Sequence, residues 1–227
     1  MRRFLRLLGT LMIVASLCTL AWAFAVWRWE DPFTSVYTTY QQRGLSSELE
    51  ERFATYKPAV AQPKTLDTTA LAAEARRYRA QSDIGDAIGR IEVPRLGVKM
   101  VLVYGTDHES LKRGPGLDPR TFFPGQNRLV YVAGHRTTYA APFSKIDSLQ
   151  RGDVIRIEMP YGTFTYRVTG SRIVAATDLS VLRSKRYEQI ILQACHPRFF
   201  ASHRWITYGR LTNVDPPSSD AASEARN

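Results

Sequence analysis

Cysteine is scarce in this chain. Only Cys18 and Cys195 occur among its 227 residues, and Cys18 lies within an uncharged N-terminal run. The two thiols therefore cannot pair, and Cys195 is left as a lone cysteine. A lone cysteine is either a small buried hydrophobe or a nucleophile, and composition alone leaves both interpretations open.

Charge is absent between Leu7 and Trp27, a run with the length that a helix needs to cross the hydrocarbon core of a bilayer. Three arginines precede the run, whereas Arg28 after it is offset by Glu30 and Asp31. The positive-inside bias then predicts a single-pass anchor in the cell membrane with a cytoplasmic N-terminus. The rest of the chain is expected outside the cell.

Instead of an uncleaved anchor, the N-terminal run could be a cleaved signal peptide or a lipoprotein signal. The run Ala21-Trp22-Ala23 resembles a signal-peptidase site, but the apolar stretch is longer than a typical signal h-region. The pair Leu17-Cys18 resembles a lipoprotein site, but leucine is bulkier than the residue usually needed before a lipidated cysteine. We therefore favour an uncleaved anchor.

Acidic residues are also in the minority, with 21 Asp and Glu against 31 Lys and Arg and a net charge of +10. Most of the excess lies in residues 84–212, which hold 19 basic and 10 acidic side chains. A basic face outside a membrane suits anionic lipid head groups or an anionic cell wall, with a merely solvated surface as an equal alternative. Nucleic acid is not expected as a partner there.

Long helical patterns and internal repeats are missing from residues 84–212. Short β-type runs separated by glycine and proline fill this segment, and short helices fit only near Ser110–Lys112 and Pro142–Leu149. The predicted strands are Ile88–Val93, Val98–Tyr104, Leu129–Ala133, Val154–Glu158, Thr163–Arg172, Gln189–Ala194 and Trp205–Leu211. This pattern predicts an all-β domain, either a closed barrel or a sandwich, with few helices.

Three further segments flank this domain. Residues 1–29 are predicted to form a cytoplasmic tip and a transmembrane anchor, and residues 30–83 an extracellular stalk. Residues 213–227, rich in proline, serine and scattered charges, are predicted to be disordered.

The stalk contains two helical patterns. Leu45, Leu49 and Phe53 share one face of a short helix that should begin near residue 46, and prolines between residues 57 and 64 should end it. A second helix should run from a cap at Asp67 through Tyr78. Neither helix has an apolar face wide enough to build its own core, so we expect a spacer or a lid on the main domain.

Cys195 ends a predicted buried strand, and Arg204 opens the next strand after a short loop. Two antiparallel neighbours joined in this way would bring Cys195 and Arg204 close together at one rim of the domain. An arginine there favours the thiolate and can donate hydrogen bonds to an oxyanion.

Histidine is the second scarce residue type, with four in the chain. His108 lies in a polar loop, His135 follows a strand, and His196 and His203 flank the loop after Cys195. Spacing alone leaves His135 and His196 as rival proton donors for a leaving amine. A zinc site on Cys195, His196 and His203 is also conceivable, although it has no obvious fourth ligand.

Two motifs bear on the choice between His135, His196 and a zinc site. The run Gly134–Tyr139, which reads GHRTTY, and the run Cys195–Phe199, which reads CHPRF and is followed by Arg204, resemble the sortases, most of all class E of actinobacteria. The resemblance covers nearly all of residues 84–212. It also takes in Ile88–Ile91, Lys112–Gly116, Ala141–Phe143 and Tyr161–Tyr166.

The resemblance implies a sortase-type closed β-barrel and a cysteine transpeptidase that uses no cofactor and has no assigned metal ligand. By residue-wise matching, Cys195 is the nucleophile, His135 the proton shuttle and Arg204 the stabiliser of charge. Sortases cut a C-terminal sorting signal between Thr and Gly and pass the acyl group to an amine. The implied partners are secreted proteins that carry such a signal, and a peptidoglycan precursor or pilin that supplies the amine.

The resemblance also implies that Thr138, Tyr139 and Ala194 lie beside the substrate. Class E sortases are associated with LAxTG signals rather than LPxTG signals, and Tyr139 matches a tyrosine of that class. Ala194 departs from the family, which usually has threonine before the cysteine. Wall anchoring and pilin polymerisation are not separated by the sequence. A non-catalytic wall-binding barrel is a further alternative, which the intact trio disfavours.

Overall fold

The computed structural model describes residues 2–28, 32–58 and 68–217. The helices in these ranges are α1 (Arg2–Arg28), α2 (Pro32–Thr55), α3 (Thr68–Ala80) and α4 (His108–Arg113). The strands are β1 (Ala87–Val93), β2 (Val98–Tyr104), β3 (Gly116–Leu117), β4 (Leu129–Ala133), β5 (Val154–Met159), β6 (Gly162–Ala175), β7 (Gln189–His196) and β8 (His203–Asp215). Short 3₁₀ turns occupy Pro94–Leu96, Ile146–Ser148 and Leu179–Leu182.

The eight strands form a closed barrel in the order β1-β2-β3-β4-β7-β8-β6-β5, and β5 pairs with β1 to complete it. Successive side chains of a strand point to opposite faces, and one face forms the core; in β5, every second side chain is buried. Large rings fill the interior, among them the fully buried Tyr78, Phe123, Phe143 and Phe164. The predicted all-β closed barrel with few short helices is thereby confirmed.

All seven predicted strands are present, and β3 was not predicted. With two residues, β3 is too short to show alternation. It forms because Gly116 and Leu117 pair with β4 on one side and with β2 on the other. The predicted helix near Ser110–Lys112 is part of α4, whereas Pro142–Leu149 contains only a 3₁₀ turn.

The parallel pairing of β4 with β7 determines where the two strands end. Leu129 pairs with Gln189 and Ala133 with Gln193, so both strands reach the same rim of the barrel. On its other side β7 pairs with the antiparallel β8. Residues that follow β4, end β7 and open β8 therefore meet at one rim.

Helix α1 contains the predicted anchor. The segment Arg2–Phe24 is apolar enough and long enough to cross a membrane, with a mean hydropathy of 2.0. This segment is therefore a candidate membrane span.

Helix α2 packs on the barrel instead of standing apart from it. Leu45 and Leu49 are fully buried against Ala87 of β1 and against two valines of β2. The helix also begins at Pro32, well before the predicted start. Two hydrogen bonds of Gln42 tie this added part of the helix to the barrel. The side-chain amide of Gln42 donates to the carbonyl of Arg113, the last residue of α4, at 2.7 Å, and its oxygen accepts the N–H of Val101 at 2.7 Å.

Helix α3 follows its predicted course and contributes to the main core. Ala75 and Tyr78 are buried, and the Tyr78 hydroxyl donates to the carbonyl of Ile88 at 3.1 Å. The predicted cap Asp67 and most of the break between residues 57 and 64 lie outside the described residues.

Strand β8 extends past the boundary that was predicted for the C-terminal tail. Strand β8 continues to Asp215 because the long strand β6 offers it partners, with Asn213 opposite Thr165 and Asp215 opposite Thr163. The boundary predicted at residue 213 is thus shifted, and residues 218–227 lie outside the described part of the chain.

We expect Leu49→Ala to lower the free energy of unfolding by about 3 kcal/mol, because it leaves a cavity between α2 and the barrel. Urea denaturation of the full-length protein in micelles measures the change. Glu51→Ala, at an exposed position of the same helix, should change it by less than about 0.5 kcal/mol. Equal effects of the two substitutions would mean that α2 is not docked in solution.

Candidate active site

Cys195 and Arg204 are direct cross-strand partners. They face each other in the antiparallel register of β7 and β8, near the rim where the two strands are joined. Both side chains are half-buried. The predicted juxtaposition of Cys195 and Arg204 is therefore present, because directly opposed residues of an antiparallel pair lie about 5 Å apart.

His135 lies two residues beyond β4 on a loop that is tied to the barrel. The N–H of Gly134 donates to the carbonyl of Gln193 at 3.0 Å, which continues the β4–β7 ladder past the last paired residue. Gly134 is needed here, since a Cβ at this position would lie 2.6 Å from the ring of Phe143. The N–H of Phe143 in turn donates to the carbonyl of His135 at 3.1 Å.

Burial determines the charge state of His135. Its Nε2 atom is buried and has no hydrogen-bond partner among the described residues. Burial lowers the pKa of the imidazole, and the nearby His108 lowers it further to a smaller extent. The neutral ring is thus favoured.

His135, Cys195 and Arg204 line one cavity of about 310 Å³. The cavity lies between the β4–β7–β8 face and the 3₁₀ turn at Leu179–Leu182. Its apolar walls are formed by Leu111, Ala133, Val174, Ala176, Leu179, Val181, Leu182 and Ile206. The site therefore places a thiol, an imidazole and a guanidinium beside a surface that suits an apolar side chain.

Arg204 is held partly by its own loop. Its Nη1 atom donates to the carbonyl of Ala201 at 2.6 Å and to that of His203 at 2.9 Å. Within the described residues, no hydrogen bond occupies its Nη2 and Nε atoms. These remaining N–H groups are available to a substrate oxygen.

Tyr139 packs against the histidine loop. Its ring lies 5.0 Å from the ring of His135, and its N–H donates to the hydroxyl of Thr34 in α2 at 2.8 Å. Tyr139 is also the first of three consecutive residues with positive φ. Neither Tyr139 nor Thr138 is among the residues that line the cavity.

The structure corrects the expectation for Ala194. This side chain is 0% exposed and belongs to the barrel core, because alternation along β7 turns it away from the cavity. A side chain without exposed surface cannot contact a substrate. The neighbours on either side, Gln193 and Cys195, line the cavity instead.

His196, the alternative to His135 as proton donor, does not line the cavity. Its Nδ1 atom accepts a hydrogen bond from Arg136 at 2.9 Å. His203 bonds to the hydroxyl of the neighbouring serine. In the part of the chain that the structure describes, no three His, Cys, Asp or Glu side chains are placed to hold a metal, so the alternative zinc site on Cys195, His196 and His203 is not formed.

Arg136 connects the two halves of the site. It follows His135 in sequence and is only 4% exposed. Its guanidinium donates to the carbonyl of Cys195 at 3.3 Å, to His196 and to the carboxylate of Asp147 at 2.8 Å. Arg136 thereby joins the loop that carries His135 to the end of the strand that carries Cys195.

Arg136 was not singled out from the sequence. The available signal was a charged residue directly after a candidate catalytic histidine, within a run of small and polar residues. Arginine is almost never fully buried without partners. Which partners it finds depends on the β4–β7 pairing, which spacing alone does not reveal.

A family model of the sortase domain matches residues 91–212, more than half of the chain. The chain therefore belongs to the sortase family, whose members are cysteine transpeptidases.

Relatives come from more than one sortase class. Sortase D of Bacillus subtilis (strain 168) is 28% identical over 180 residues, which cover 77% of this chain and 89% of that protein. The structure of sortase E from Streptomyces avermitilis is 30% identical with a TM-score of 0.53, over 60% of this chain and 93% of that one. A Sortase D5 transpeptidase of Clostridium perfringens, with a TM-score of 0.63, 24% identity and coverage of 77% and 99%, is alike in fold alone. These relatives do not single out class E.

We expect His135 to titrate below the ordinary histidine pKa of about 6.5 in an NMR titration of the full-length protein in micelles. Burial disfavours the charged ring, so the neutral form should persist to lower pH than in an exposed histidine. The same low pKa is expected in Cys195→Ala, because burial and not the thiol causes it. A value at or above 6.5 in either protein would contradict the lowering of the His135 pKa by burial.

We expect Arg136→Gln to lower kcat by on the order of tenfold to a hundredfold, because it releases the His135 loop from the end of β7. Arg136→Lys should be similarly damaging, since lysine lacks the planar fork that holds several acceptors. The control is Arg156→Gln, which removes an arginine from a half-exposed ion pair with Glu92. The effect is measured by transfer kinetics at a temperature below the melting temperature of each variant. The NMR signals of the His135 ring report whether its loop has moved. Unchanged kcat and unchanged ring signals in Arg136→Gln would exclude this positioning role.

Proposed function

We propose that this chain is a membrane-anchored sortase in which Cys195 is the nucleophile, His135 the proton shuttle and Arg204 the stabiliser of the oxyanion. One observation carries the proposal, namely that the three side chains line a single cavity. Two of them sit on paired strands and the third on a loop that the ladder anchors. Such rigid support suits a preorganised catalytic site.

In the first half-reaction, Cys195 Sγ attacks the carbonyl carbon of the threonine in the sorting signal. Neutral His135 accepts the thiol proton as the carbon–sulfur bond forms. The carbon–nitrogen bond to glycine then breaks, and His135 passes the proton to the departing amine. The products of this step are a thioester on Cys195 and a free glycine amine.

In the second half-reaction, an acceptor amine attacks the thioester carbon. The new carbon–nitrogen bond forms, the carbon–sulfur bond breaks, and His135 carries the amine proton to the leaving thiolate. The free N–H groups of Arg204 hold the oxyanion in both tetrahedral intermediates or bind the backbone of the signal. The acceptor is proposed to be an amine of a peptidoglycan precursor or of a pilin.

The proposed substrate is the C-terminal sorting signal of a secreted protein, of the LAxTG or LPxTG type. The apolar wall of the cavity suits the leucine of such a signal, and the cleaved Thr–Gly bond would then lie beside Cys195. We further propose that the N-terminus is cytoplasmic, because three arginines precede α1. The barrel is then outside the cell, where secreted proteins pass.

We expect Cys195→Ala to abolish transfer of an LxxTG-type peptide to hydroxylamine while the protein remains folded. Cys18→Ala is the matched control, because it removes the only other thiol and should leave the rate unchanged. Mass spectrometry detects the peptide hydroxamate and, after acid quenching, the peptide thioester on the protein. Transfer by the Cys195→Ala protein would show that another group is the nucleophile.

The preference within LxxTG signals is proposed from the class E likeness of the GHRTTY motif. We expect LAxTG peptides to react faster than LPxTG peptides, because a phenol near His135 can accept the backbone N–H that alanine has and proline lacks. Tyr139→Phe should narrow the gap by about 1 kcal/mol, measured as the ratio of kcat/KM values. Tyr37→Phe is the control, because it removes a phenol hydroxyl from the ring that packs in a T shape against Tyr139. Faster use of LPxTG, or a full preference in Tyr139→Phe, would contradict the class E assignment while leaving the chemistry of Cys195 untouched.

A further inference from the structure

A second cavity of about 700 Å³ lies on the outside of the barrel. Its floor is the outer face of β6 and β8, and its wall is the segment that follows the 3₁₀ turn at Leu179–Leu182. Of the proposed catalytic residues none lines it, and Val181 is the one residue that it shares with the catalytic cavity. We call this cavity the basic groove.

Four cations line the basic groove: Arg172, Arg183, Lys185 and Arg210. No aspartate or glutamate is among the lining residues. Across the described ranges of the chain, none of these four side chains forms an ion pair. They therefore lack the direct carboxylate partners that Arg90, Arg95 and Arg156 have on the β1–β5 side.

Asp178 and Glu188 are the carboxylates closest to the groove in sequence, and within the described residues neither forms an ion pair with one of its four cations. Asp178 caps the 3₁₀ turn by accepting the N–H of Ser180 at 2.9 Å, and its pKa is lowered first by the hydrogen bonds from Ser180 and then by Arg172 and Arg183. Glu188, next to the groove in sequence, is buried and accepts the hydroxyl of Tyr166 at 2.6 Å. An incoming anion would therefore meet net positive charge.

Two half-buried tyrosines contact three of the four cations. Arg210 lies over the ring of Tyr187 at 5.0 Å and Lys185 over the same ring at 5.6 Å. Arg172 lies over the ring of Tyr208 at 5.6 Å. Cation–π contacts of this kind restrict the side chains without using their N–H donors.

The spacing of the cations favours a chain of charges over a single ion. Arg172 pairs with Ile206 of β8, and Arg210 lies four residues further along that strand, a separation of about 13 Å. Arg183 and Lys185 face them from the opposite wall. Charge spread over this length suits a linear polymer with repeated phosphate groups better than a single phosphate.

We propose that the basic groove binds a linear polymer of phosphodiesters, of the kind that makes a bacterial cell wall anionic, at a site separate from the catalytic cavity. Each contact replaces counterions around a phosphate, so binding weakens as salt rises. Such a site would hold the enzyme against the wall polymer while leaving Cys195 open to substrate. The proposal does not depend on which sorting signal is used.

The test compares two double variants of the full-length protein in nanodiscs of zwitterionic lipid. Arg172→Glu with Arg210→Glu reverses two charges in the groove. Arg76→Glu with Lys99→Glu makes the same change in net charge at exposed positions outside it. The probes are long-chain inorganic polyphosphate, orthophosphate and vesicles that contain phosphatidylglycerol, and binding is measured by fluorescence anisotropy or by vesicle flotation at two salt concentrations.

We expect salt-sensitive binding of polyphosphate to weaken by on the order of tenfold or more in the groove variant, and by much less in the control variant. Circular dichroism and hydroxylamine transfer should be unchanged in both. Equal losses in the two variants would reduce the effect to net charge and overturn the proposal. Binding to the phosphatidylglycerol vesicles without binding to polyphosphate would assign the groove to a membrane surface instead, and equal competition by orthophosphate would overturn the polymer assignment.

Discussion

The parallel pairing of β4 with β7 is the contact on which the site depends. Its register places Ala133 beside Gln193, and the Gly134 N–H extends the ladder by one more hydrogen bond. A slip of one residue would turn Cys195 into the core and Ala194 toward the cavity. Nucleophile and histidine come from distant parts of the chain, so only this pairing brings them to one rim.

Arg136 and Arg204 have different roles because their surroundings differ. Arg136 is buried, and its N–H groups are directed at protein acceptors and at Asp147, so its charge is balanced within the fold. The Nη1 atom of Arg204 donates to its own loop, whereas its Nη2 and Nε atoms form no hydrogen bond within the described residues, and the side chain lines the cavity. One guanidinium therefore holds the framework while the other can respond to charge that develops during a reaction.

The sequence was most informative where a pattern is local. The strands were predictable because alternation reports a buried face, and the loop between Cys195 and Arg204 was short enough to imply opposed strands. The inward direction of Ala194 was also predictable, since neighbours on a strand point to opposite faces. By contrast, β3, the first half of α2 and the partners of Arg136 depend on contacts between distant segments. The basic groove is similar, because only the β6–β8 register places Arg172 and Arg210 along the same pair of strands.

The contact between α2 and the histidine loop has a consequence for the height of the reaction above the bilayer. Thr34, which accepts the N–H of Tyr139, follows the last residue of α1 by only six positions. Six residues span about 20 Å even when fully extended. If α1 crosses a membrane at its candidate span, which ends at Phe24, the rim that carries His135 is tethered to that span by ten residues of chain. A substrate or acceptor held in the same membrane would then have to rise no further than this tether allows to meet the rim.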